Sequence, residues 1–180
     1  SSPFMLVIAI AIKLCDRGPV FFKQERLTEG AKVFKVYKFR SMYMRAPDKV
    51  YTLTRKGDPR VTPVGNIIRR LHLDELPQLF NILKGDMSIV GPRPQLVRDM
   101  VFMTPEQRKR HSVLPGLSGL AQVRGRNAIS WEGKLATDLE YVEKVSFWGD
   151  LKIVLQTVVK FVKREDISAE GMETAEDLGD

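Results

Sequence analysis

The sequence predicts an α+β fold, a small and mostly helical globular domain with short strands. The 180 residues are 43% hydrophobic and 28% charged, which is enough apolar side chain for the core of one domain. Two short stretches read as strands, and several longer ones have helical spacing with capping residues at their starts. The mean hydropathy of −0.18 excludes a polytopic membrane protein, and the single cysteine excludes an intrachain disulfide.

The first apolar segment, Pro3 to Ile12, has no polar face and so differs from an amphipathic surface helix. As a helix, its roughly ten residues would extend about 15 Å, near half of a hydrocarbon core of ~30 Å. Its residues alone leave three interpretations open: a buried core helix, a strand, or half of a re-entrant membrane helix. A proline at position 3 would break any helix that precedes it.

The next elements are two short strands, predicted at Pro19–Lys23 and Val33–Phe39 with a turn at Thr28–Lys32 between them. The following residues, Ala46–Arg60, are polar and predict a loop.

Three helices are predicted from their capping residues. Thr62 precedes a proline at the first helical position and starts a helix to about Leu71. Thr104 begins a capping-box pattern, and its helix would run to about Val113. Ser130 caps a helix to about Lys144, after a glycine-rich stretch at 115–125.

A last helix is predicted at Leu151–Arg164. One side is apolar and the other carries lysines and an arginine, as in a helix that lies among lipid headgroups. An ordinary surface helix packed on a core fits this stretch equally well.

The net charge of +7 is distributed unevenly. Residues 165–180 contain seven acidic and no basic residues, so the first 164 hold 29 basic and 15 acidic ones. A body with a charge of +14 attracts an anionic membrane, a phosphorylated substrate or nucleic acid. The sequence lacks an RNA-recognition signature and zinc-finger spacing, which disfavours nucleic acid.

The residues that suggest chemistry lie between positions 69 and 94. Because Pro77 cannot lie inside a continuous helix, one helix should end near Leu71 and another start near Asp74. Asp74 and Glu75 would then lie at a helix N-terminus, where they either cap the helix or share the site with a bound anion. Gly85 should end this helix. The apolar residues of the segment are predicted to be core: Leu76, Leu79, Phe80, Ile82 and Leu83.

Arg93 lies between two prolines, Pro92 and Pro94, which stiffen the backbone on both sides. A stiff loop that holds one guanidinium suits phosphate recognition, although a surface turn with an incidental arginine has the same sequence.

Taken together, these segments resemble the bacterial sugar transferases, the monotopic polyprenyl-phosphate phosphoglycosyl transferases. The matching motifs occur in the family's order over most of the chain. They are FFKQER (21–26), FKVYKFRSM (34–42), LDELPQLFNILKGDMSIVGPRP (73–94), RHSVLPGLSGLAQVRGRNAISWE (110–132) and DLKIVLQT (150–157). The ending ISAEGMETAEDLG (167–179) is most similar to the small members that use UDP-N,N'-diacetylbacillosamine.

The resemblance implies transfer of a sugar 1-phosphate from a UDP-sugar to undecaprenyl phosphate, with release of UMP. It implies that Asp74 is the nucleophile and forms a phosphosugar–aspartyl intermediate, while Glu75 binds Mg²⁺. The residues expected to bind substrate phosphates are Lys38, Arg40, Arg69, Arg93 and Arg126. Asp138 matches an acidic position of the family on a later helix and is expected to bind substrate or to form a surface or hydrogen-bonding contact. His72 and His111 are expected to be structural or surface residues and not catalytic bases.

The resemblance also implies a place in the cell and a domain layout. Family members enter the cytoplasmic leaflet of the bacterial inner membrane through one helix broken at Ser-Pro, which Ser2 and Pro3 match. Residues 1–14 would be the second half of that re-entrant helix, 15–164 the catalytic domain and 165–180 an acidic tail. A non-enzymatic basic module that binds nucleic acid or anionic lipid is the alternative function, which explains the charge but not the ordered motifs.

Overall fold

The computed structural model describes residues 2–44, 58–125 and 129–163. It confirms an α+β domain of helices and short strands. The helices are α1 (Ser2–Cys15), α2 (Pro63–Arg70), α3 (Gln78–Lys84), α4 (Leu120–Arg124), α5 (Trp131–Glu143) and α6 (Phe147–Lys163). The strands are β1 (Phe21–Leu27), β2 (Val33–Phe39), β3 (Ser88–Val90) and β4 (Gly116–Ser118). None of the helices in these ranges is both long and apolar enough to cross a membrane.

Strands β1 and β2 form an antiparallel hairpin in which Phe21 pairs with Phe39 and Leu27 with Val33. The predicted turn is present, with Gly30 in the left-handed conformation at φ 68°. The first strand was predicted to end at Lys23, but it continues through the polar residues to Leu27 because every one of them pairs with β2.

A second sheet was not predicted. Strands β3 and β4 are parallel, and Ser88 pairs with Gly116. Gly116 cannot carry a side chain here, because a Cβ would lie 2.1 Å from the backbone nitrogen of Gly91. The glycine-rich stretch therefore lets the two backbones approach closely, and the Gly116 N–H donates to the Pro92 carbonyl at 2.9 Å.

Helix α1 packs against the domain along one face. Ile8 and Ile12 are buried with Phe39 of β2 and Ile68 of α2. The opposite face is exposed and apolar, and includes Leu6, Val7, Ile10 and Leu14. The structure decides against the strand and supports a core-packed helix; membrane insertion of the exposed face, and the break at Ser2 and Pro3, stay predictions.

The predicted capping residues form the expected hydrogen bonds, although one of them starts a different type of helix. Thr62 accepts a hydrogen bond from Gly65 N–H at 2.8 Å, and Ser130 accepts one from Gly133 N–H at 3.1 Å. The capping box at Thr104 and Gln107 also forms, but it starts a 3₁₀ helix at Gln107–Ser112 in place of the predicted α-helix.

Helix α6 starts at Phe147, four residues before the predicted start. Its Ile153 is buried with Val90, Val123 and Tyr141. The helix is thus packed on a core, and it also leaves an apolar stripe exposed: Leu155, Val158, Val159, Phe161 and Val162.

The predicted core of α3 is wrong in part, because Phe80 is 47% and Leu83 84% exposed. The buried face of this helix is polar. Asn81 is fully buried, where it donates to the Lys35 carbonyl at 2.8 Å and accepts from the Tyr37 N–H at 3.0 Å. Bonding to the edge of β2 therefore orients α3 so that Phe80 and Leu83 face outward, while Ile82 packs on the cluster of Phe34, Val36 and Met87.

Candidate active site

The carboxylate pair Asp74–Glu75 lies in a 3₁₀ turn, Leu73–Glu75, between α2 and α3. The chain enters the turn through His72, which has a left-handed φ of 53°. Leu73 and Leu76 pack on the cluster formed by α1, β2 and α2. The two carboxylates are thus presented by a turn that is anchored on the core on both sides of the pair.

Pro77 explains why the regular helix starts later than predicted. It has no N–H to offer the Leu73 carbonyl, which instead accepts from the Leu76 N–H at 3.2 Å. The residues before α3 therefore form hydrogen bonds of the 3₁₀ type, in which an N–H donates to the carbonyl three residues earlier. Helix α3 itself begins at Gln78. Gly85 ends the helix as predicted, in a left-handed conformation with φ 81°.

Glu75 is held by two cations. Lys38 Nζ lies 3.0 Å and Arg93 Nη2 2.7 Å from the same carboxylate oxygen, Oε1. Burial alone would raise the pKa of Glu75, but the charges of Arg93 and Lys38 and their hydrogen bonds outweigh it and hold the pKa well below its usual value. Glu75 is therefore ionised and fixed in orientation.

Asp74 has a different environment. Within the described residues its carboxylate accepts no hydrogen bond, and it does not cap α3. Burial and the charge of Glu75 raise its pKa, and the charges of Lys38, Arg69 and Arg93 partly oppose this. The pKa values of the two adjacent carboxyl groups are thus shifted in opposite directions. Fixed cations balance the negative charge of Glu75, while Asp74 is available to an incoming group.

Arg93 is positioned through its backbone as well as its side chain. Its carbonyl accepts a hydrogen bond from Arg110 Nη2 at 2.8 Å. The Arg110 guanidinium also donates to Asp138 Oδ2, from Nη2 at 2.6 Å and from Nε at 3.0 Å. Arg110 and Asp138 are 2% and 3% exposed, so this ion pair supports the Arg93 loop from inside the domain.

The predicted phosphate-binding residues therefore divide into groups. Lys38 and Arg93 contact Glu75, and the charge of Arg69 acts on Asp74. Arg40 does not join them: it is buried, donates from Nε to the Pro19 carbonyl at 2.6 Å, and pairs with Asp16 at the end of α1. Arg40 is thus engaged within the fold, and its predicted phosphate contact stays a prediction.

Asp138 was also predicted to bind substrate. In the structure its carboxylate forms an ion pair with Arg110, and substrate binding by Asp138 stays a prediction. Arg126 lies outside the described residues. Sequence reasoning missed Arg110, although it is the first residue of one matching motif. It also missed Lys134, which lies one turn before Asp138 on α5. Burial and the charge of Arg93 lower the pKa of Lys134.

The two histidines have different environments, and that of His111 does not suit acid–base chemistry near neutral pH. His111 is 7% exposed, and burial together with the charge of Arg110 lowers its pKa to about 4. It is therefore neutral at physiological pH. The ring centroid of His72 lies 6.5 Å from that of Phe161, a packing contact with α6. These environments agree with the structural roles predicted for both residues.

No group of three or more metal-ligating side chains occurs among the described residues. The adjacent carboxylates of Asp74 and Glu75 nevertheless provide the hard oxygen donors that Mg²⁺ takes. This ion commonly binds through one or two carboxylates together with substrate phosphates. The site therefore fits a magnesium ion that arrives with a phosphorylated substrate.

Taken together, the site combines a carboxylate free to react with several fixed cations. Such a site can bind a polyanionic phosphate ester and offer an oxygen nucleophile to its phosphorus.

Comparisons with known proteins point to one family. The bacterial sugar transferase family matches residues 1–164. The uncharacterized sugar transferase EpsL of Bacillus subtilis is 45% identical over 176 residues, which cover 98% of this chain and 86% of that protein. A UDP-glucose:undecaprenyl-phosphate glucose-1-phosphate transferase of Escherichia coli is 45% identical over 172 residues, covering 88% of this chain and 36% of that protein.

A third relative has a different sugar in its name. The UDP-N-acetylgalactosamine-undecaprenyl-phosphate N-acetylgalactosaminephosphotransferase of Aeromonas hydrophila is 44% identical over 163 residues, covering 87% of this chain and 38% of that protein. The chain thus spans little more than a third of the relatives from Escherichia coli and Aeromonas hydrophila.

Proposed function

Because this chain belongs to the bacterial sugar transferase family, we propose that it transfers a sugar 1-phosphate from a UDP-sugar to undecaprenyl phosphate and releases UMP. The relatives from Escherichia coli and Aeromonas hydrophila have this type of transfer in their names. The observation that carries the proposal to this chain is the contrast within the carboxylate pair. Glu75 is fixed by Lys38 and Arg93, while Asp74 beside it has no hydrogen-bond donor among the described residues.

In the first step, an Asp74 oxygen attacks the phosphorus that bears the sugar. The bond from that phosphorus to the UMP oxygen breaks, and its electron pair leaves with UMP. The product is a phosphosugar–aspartyl intermediate. An ionised aspartate needs no general base for this attack.

In the second step, a phosphate oxygen of undecaprenyl phosphate attacks the same phosphorus. The bond to Asp74 breaks, and the carboxylate is regenerated. Both nucleophiles are anions that approach an anionic phosphorus, so the protein must mainly position the groups and neutralise charge. Lys38 and Arg93 are placed for this, and Arg69 adds positive charge near Asp74.

The carboxylate of Glu75 would hold Mg²⁺, and the ion would supply further positive charge for this neutralisation at the substrate phosphates. With the metal bound to the substrate, Arg93 can keep Glu75 in place through Oε1, the oxygen it already contacts.

Incubation with UDP-sugar alone tests the proposal. Intact mass spectrometry of the quenched protein should show one added sugar phosphate, with one equivalent of UMP released. Asp74→Asn should abolish both, whereas Glu75→Gln should slow both. An active preparation that releases UMP only when both substrates are present, and never carries an adduct, would exclude the intermediate and make Asp74 a base or metal ligand.

The sugar that we propose is N,N'-diacetylbacillosamine. This rests on residues 167–179, which lie outside the described ranges, whereas the relatives from Escherichia coli and Aeromonas hydrophila have glucose and N-acetylgalactosamine in their names. A panel of the three UDP-sugars, compared by UMP release at equal concentration, decides among them. Faster turnover of UDP-glucose would exclude the bacillosamine assignment.

We also propose that the protein works on the cytoplasmic face of the inner membrane as a monotopic protein. The exposed apolar faces of α1 and α6 support this, because surfaces of this kind suit lipid better than water. Flotation with liposomes at high salt tests it. A protein that remains with the soluble fraction under all lipid compositions would contradict it.

A further inference from the structure

An apolar groove lies on the face of the hairpin opposite Lys38. It has a volume of about 460 Å³ and is lined by Met5 and Leu6 of α1, Phe21 and Phe39 of the hairpin, and Phe80 and Leu83 of α3, among others. The rings of Phe21 and Phe39 stack at 5.5 Å between centroids and form part of its lining. The groove exists because Asn81 turns the polar side of α3 inward, which leaves the apolar side of that helix facing α1.

Two lysines border this groove. The strand register pairs Lys23 with Tyr37, and this pair lies on the same face of the hairpin as Phe21 and Phe39. The two pairs are separated by two residues, or about 7 Å along the strand. Lys23 Nζ lies 5.4 Å and Lys84 Nζ 4.8 Å from the centre of the Tyr37 ring.

Both lysines of this border are exposed, and neither forms an ion pair within the described residues. Lys84 also donates to the Tyr37 hydroxyl at 2.9 Å, and this hydrogen bond lowers the pKa of Tyr37. The charge of Asp86 acts in the opposite direction but does not reverse the shift. The apolar groove thus ends at a site of positive potential.

From this juxtaposition we propose that the groove binds one anionic phospholipid of the bilayer. An acyl chain lies among the apolar side chains between α1 and α3, and the phosphodiester is held by Lys23, Lys84 and the Tyr37 hydroxyl. The proposal concerns a lipid that does not react. It adds a second lipid site to the proposed transferase, and it holds or fails independently of that reaction.

Strand alternation favours a bystander lipid over the reacting acceptor. Tyr37 and Lys38 are consecutive residues of β2, so their side chains lie on opposite faces of the hairpin. Lys38 faces Glu75, whereas Tyr37 and its two lysines lie on the other face. A phosphate held by Lys23 and Lys84 therefore lies on the face of the hairpin away from the contact between Lys38 and Glu75.

Native mass spectrometry of the whole chain, released from detergent after incubation with phosphatidylglycerol, tests for a single site. We expect a one-to-one adduct with phosphatidylglycerol and little with phosphatidylcholine. The double substitution Lys23→Gln/Lys84→Gln should abolish it. The matched double substitution Lys32→Gln/Lys109→Gln removes the same charge from exposed lysines outside the groove and should retain it.

Liposome binding gives the corresponding affinities. With phosphatidylglycerol vesicles we expect a loss of about 25-fold for Lys23→Gln/Lys84→Gln, since each lysine near an anionic surface changes affinity by about fivefold. Leu83→Gln, at an 84% exposed position in the groove, should weaken binding more than Val101→Gln, at a 78% exposed position outside it.

Three results would overturn the proposal. Equal losses in the two lysine pairs would show diffuse attraction without a site. Equal effects of Leu83→Gln and Val101→Gln would remove the groove from the site. Displacement of the adduct by undecaprenyl phosphate at equimolar concentration would make this the acceptor site. Release of UMP from UDP-sugar alone should be unchanged in Lys23→Gln/Lys84→Gln, so a failure of the transferase proposal remains distinguishable.

Discussion

Arg110 donates a hydrogen bond from Nη2 to the main-chain carbonyl of Arg93 at 2.8 Å, while its Nε and Nη2 both donate to Asp138. The guanidinium of Arg93 in turn donates to Glu75 at 2.7 Å. A continuous series of polar contacts therefore connects α5, through the loop between Pro92 and Pro94, to the carboxylate pair. A buried ion pair is weak evidence of stabilisation, but it can fix the position of what it contacts.

The contribution of Arg110 to position can be separated from its contribution to stability. Arg110→Met alone leaves Asp138 buried without its partner and should lower the free energy of unfolding by about 3–5 kcal/mol. Adding Asp138→Leu removes that uncompensated charge and should restore most of the stability. We expect the double variant to keep a low kcat with a similar KM, because the Arg93 loop has lost its support. Chemical denaturation and steady-state UMP release measure both, and full recovery of kcat together with stability would make the pair purely structural.

Arg93→Ala should greatly reduce turnover while the protein remains folded, since 48% of the Arg93 side chain is exposed and little packing is lost. Arg93→Lys should restore activity only in part, because an ammonium lacks the planar pair of donors. Arg98→Ala, at a side chain that is also 48% exposed, is the matched control and should change turnover little. Normal turnover in a folded Arg93→Ala protein would contradict the assignment.

The dependence of the first step on pH should report the coupling between Asp74 and Glu75. Attack requires an ionised Asp74, and burial and the charge of Glu75 raise its pKa, so the rate should fall on the acid side at a higher pH than for an ordinary aspartate. Glu75→Gln removes the repulsion and releases Lys38 and Arg93 toward Asp74. The acid limb should therefore shift to lower pH even as the maximal rate decreases. Single-turnover UMP release from UDP-sugar measures the profile, and a shift to higher pH would contradict the coupling.

His111 should make the fold sensitive to mild acid. Its pKa is about 4 in the folded protein and about 6.5 when unfolded, so the unfolded state binds the extra proton between these values. Stability is therefore fully retained above pH 6.5 and decreases as the pH falls toward 4, by about 3 kcal/mol in total. His111→Gln should flatten this part of the profile. With only two histidines in the chain, NMR titration can assign each pKa, and a value near 6.5 for His111 would remove the effect.

Pro77 predicted the position of the carboxylate pair, and the ordered motifs implied the roles of its two residues. The opposite pKa shifts of Asp74 and Glu75 could not be predicted from the sequence. Adjacent acidic residues look alike in sequence. Lys38 is 37 and Arg93 18 positions away from Glu75, and both bond to the same oxygen of it. No spacing rule covers contacts of this separation. For the same reason the sequence did not predict the ion pairs of Arg40 with Asp16 and of Asp138 with Arg110.

Local hydrogen bonds explain what the sequence by itself determined. Thr62 and Ser130 each bond to a backbone N–H three residues ahead, and Gly85 adopts the left-handed conformation that ends α3; these interactions involve only neighbouring residues. The outward apolar face of α3 was decided only by tertiary structure. Asn81 is buried because it completes the hydrogen bonding of β2, 44 to 46 residues away. Leaving those backbone groups unpaired would cost more free energy than burying Phe80 and Leu83 would gain.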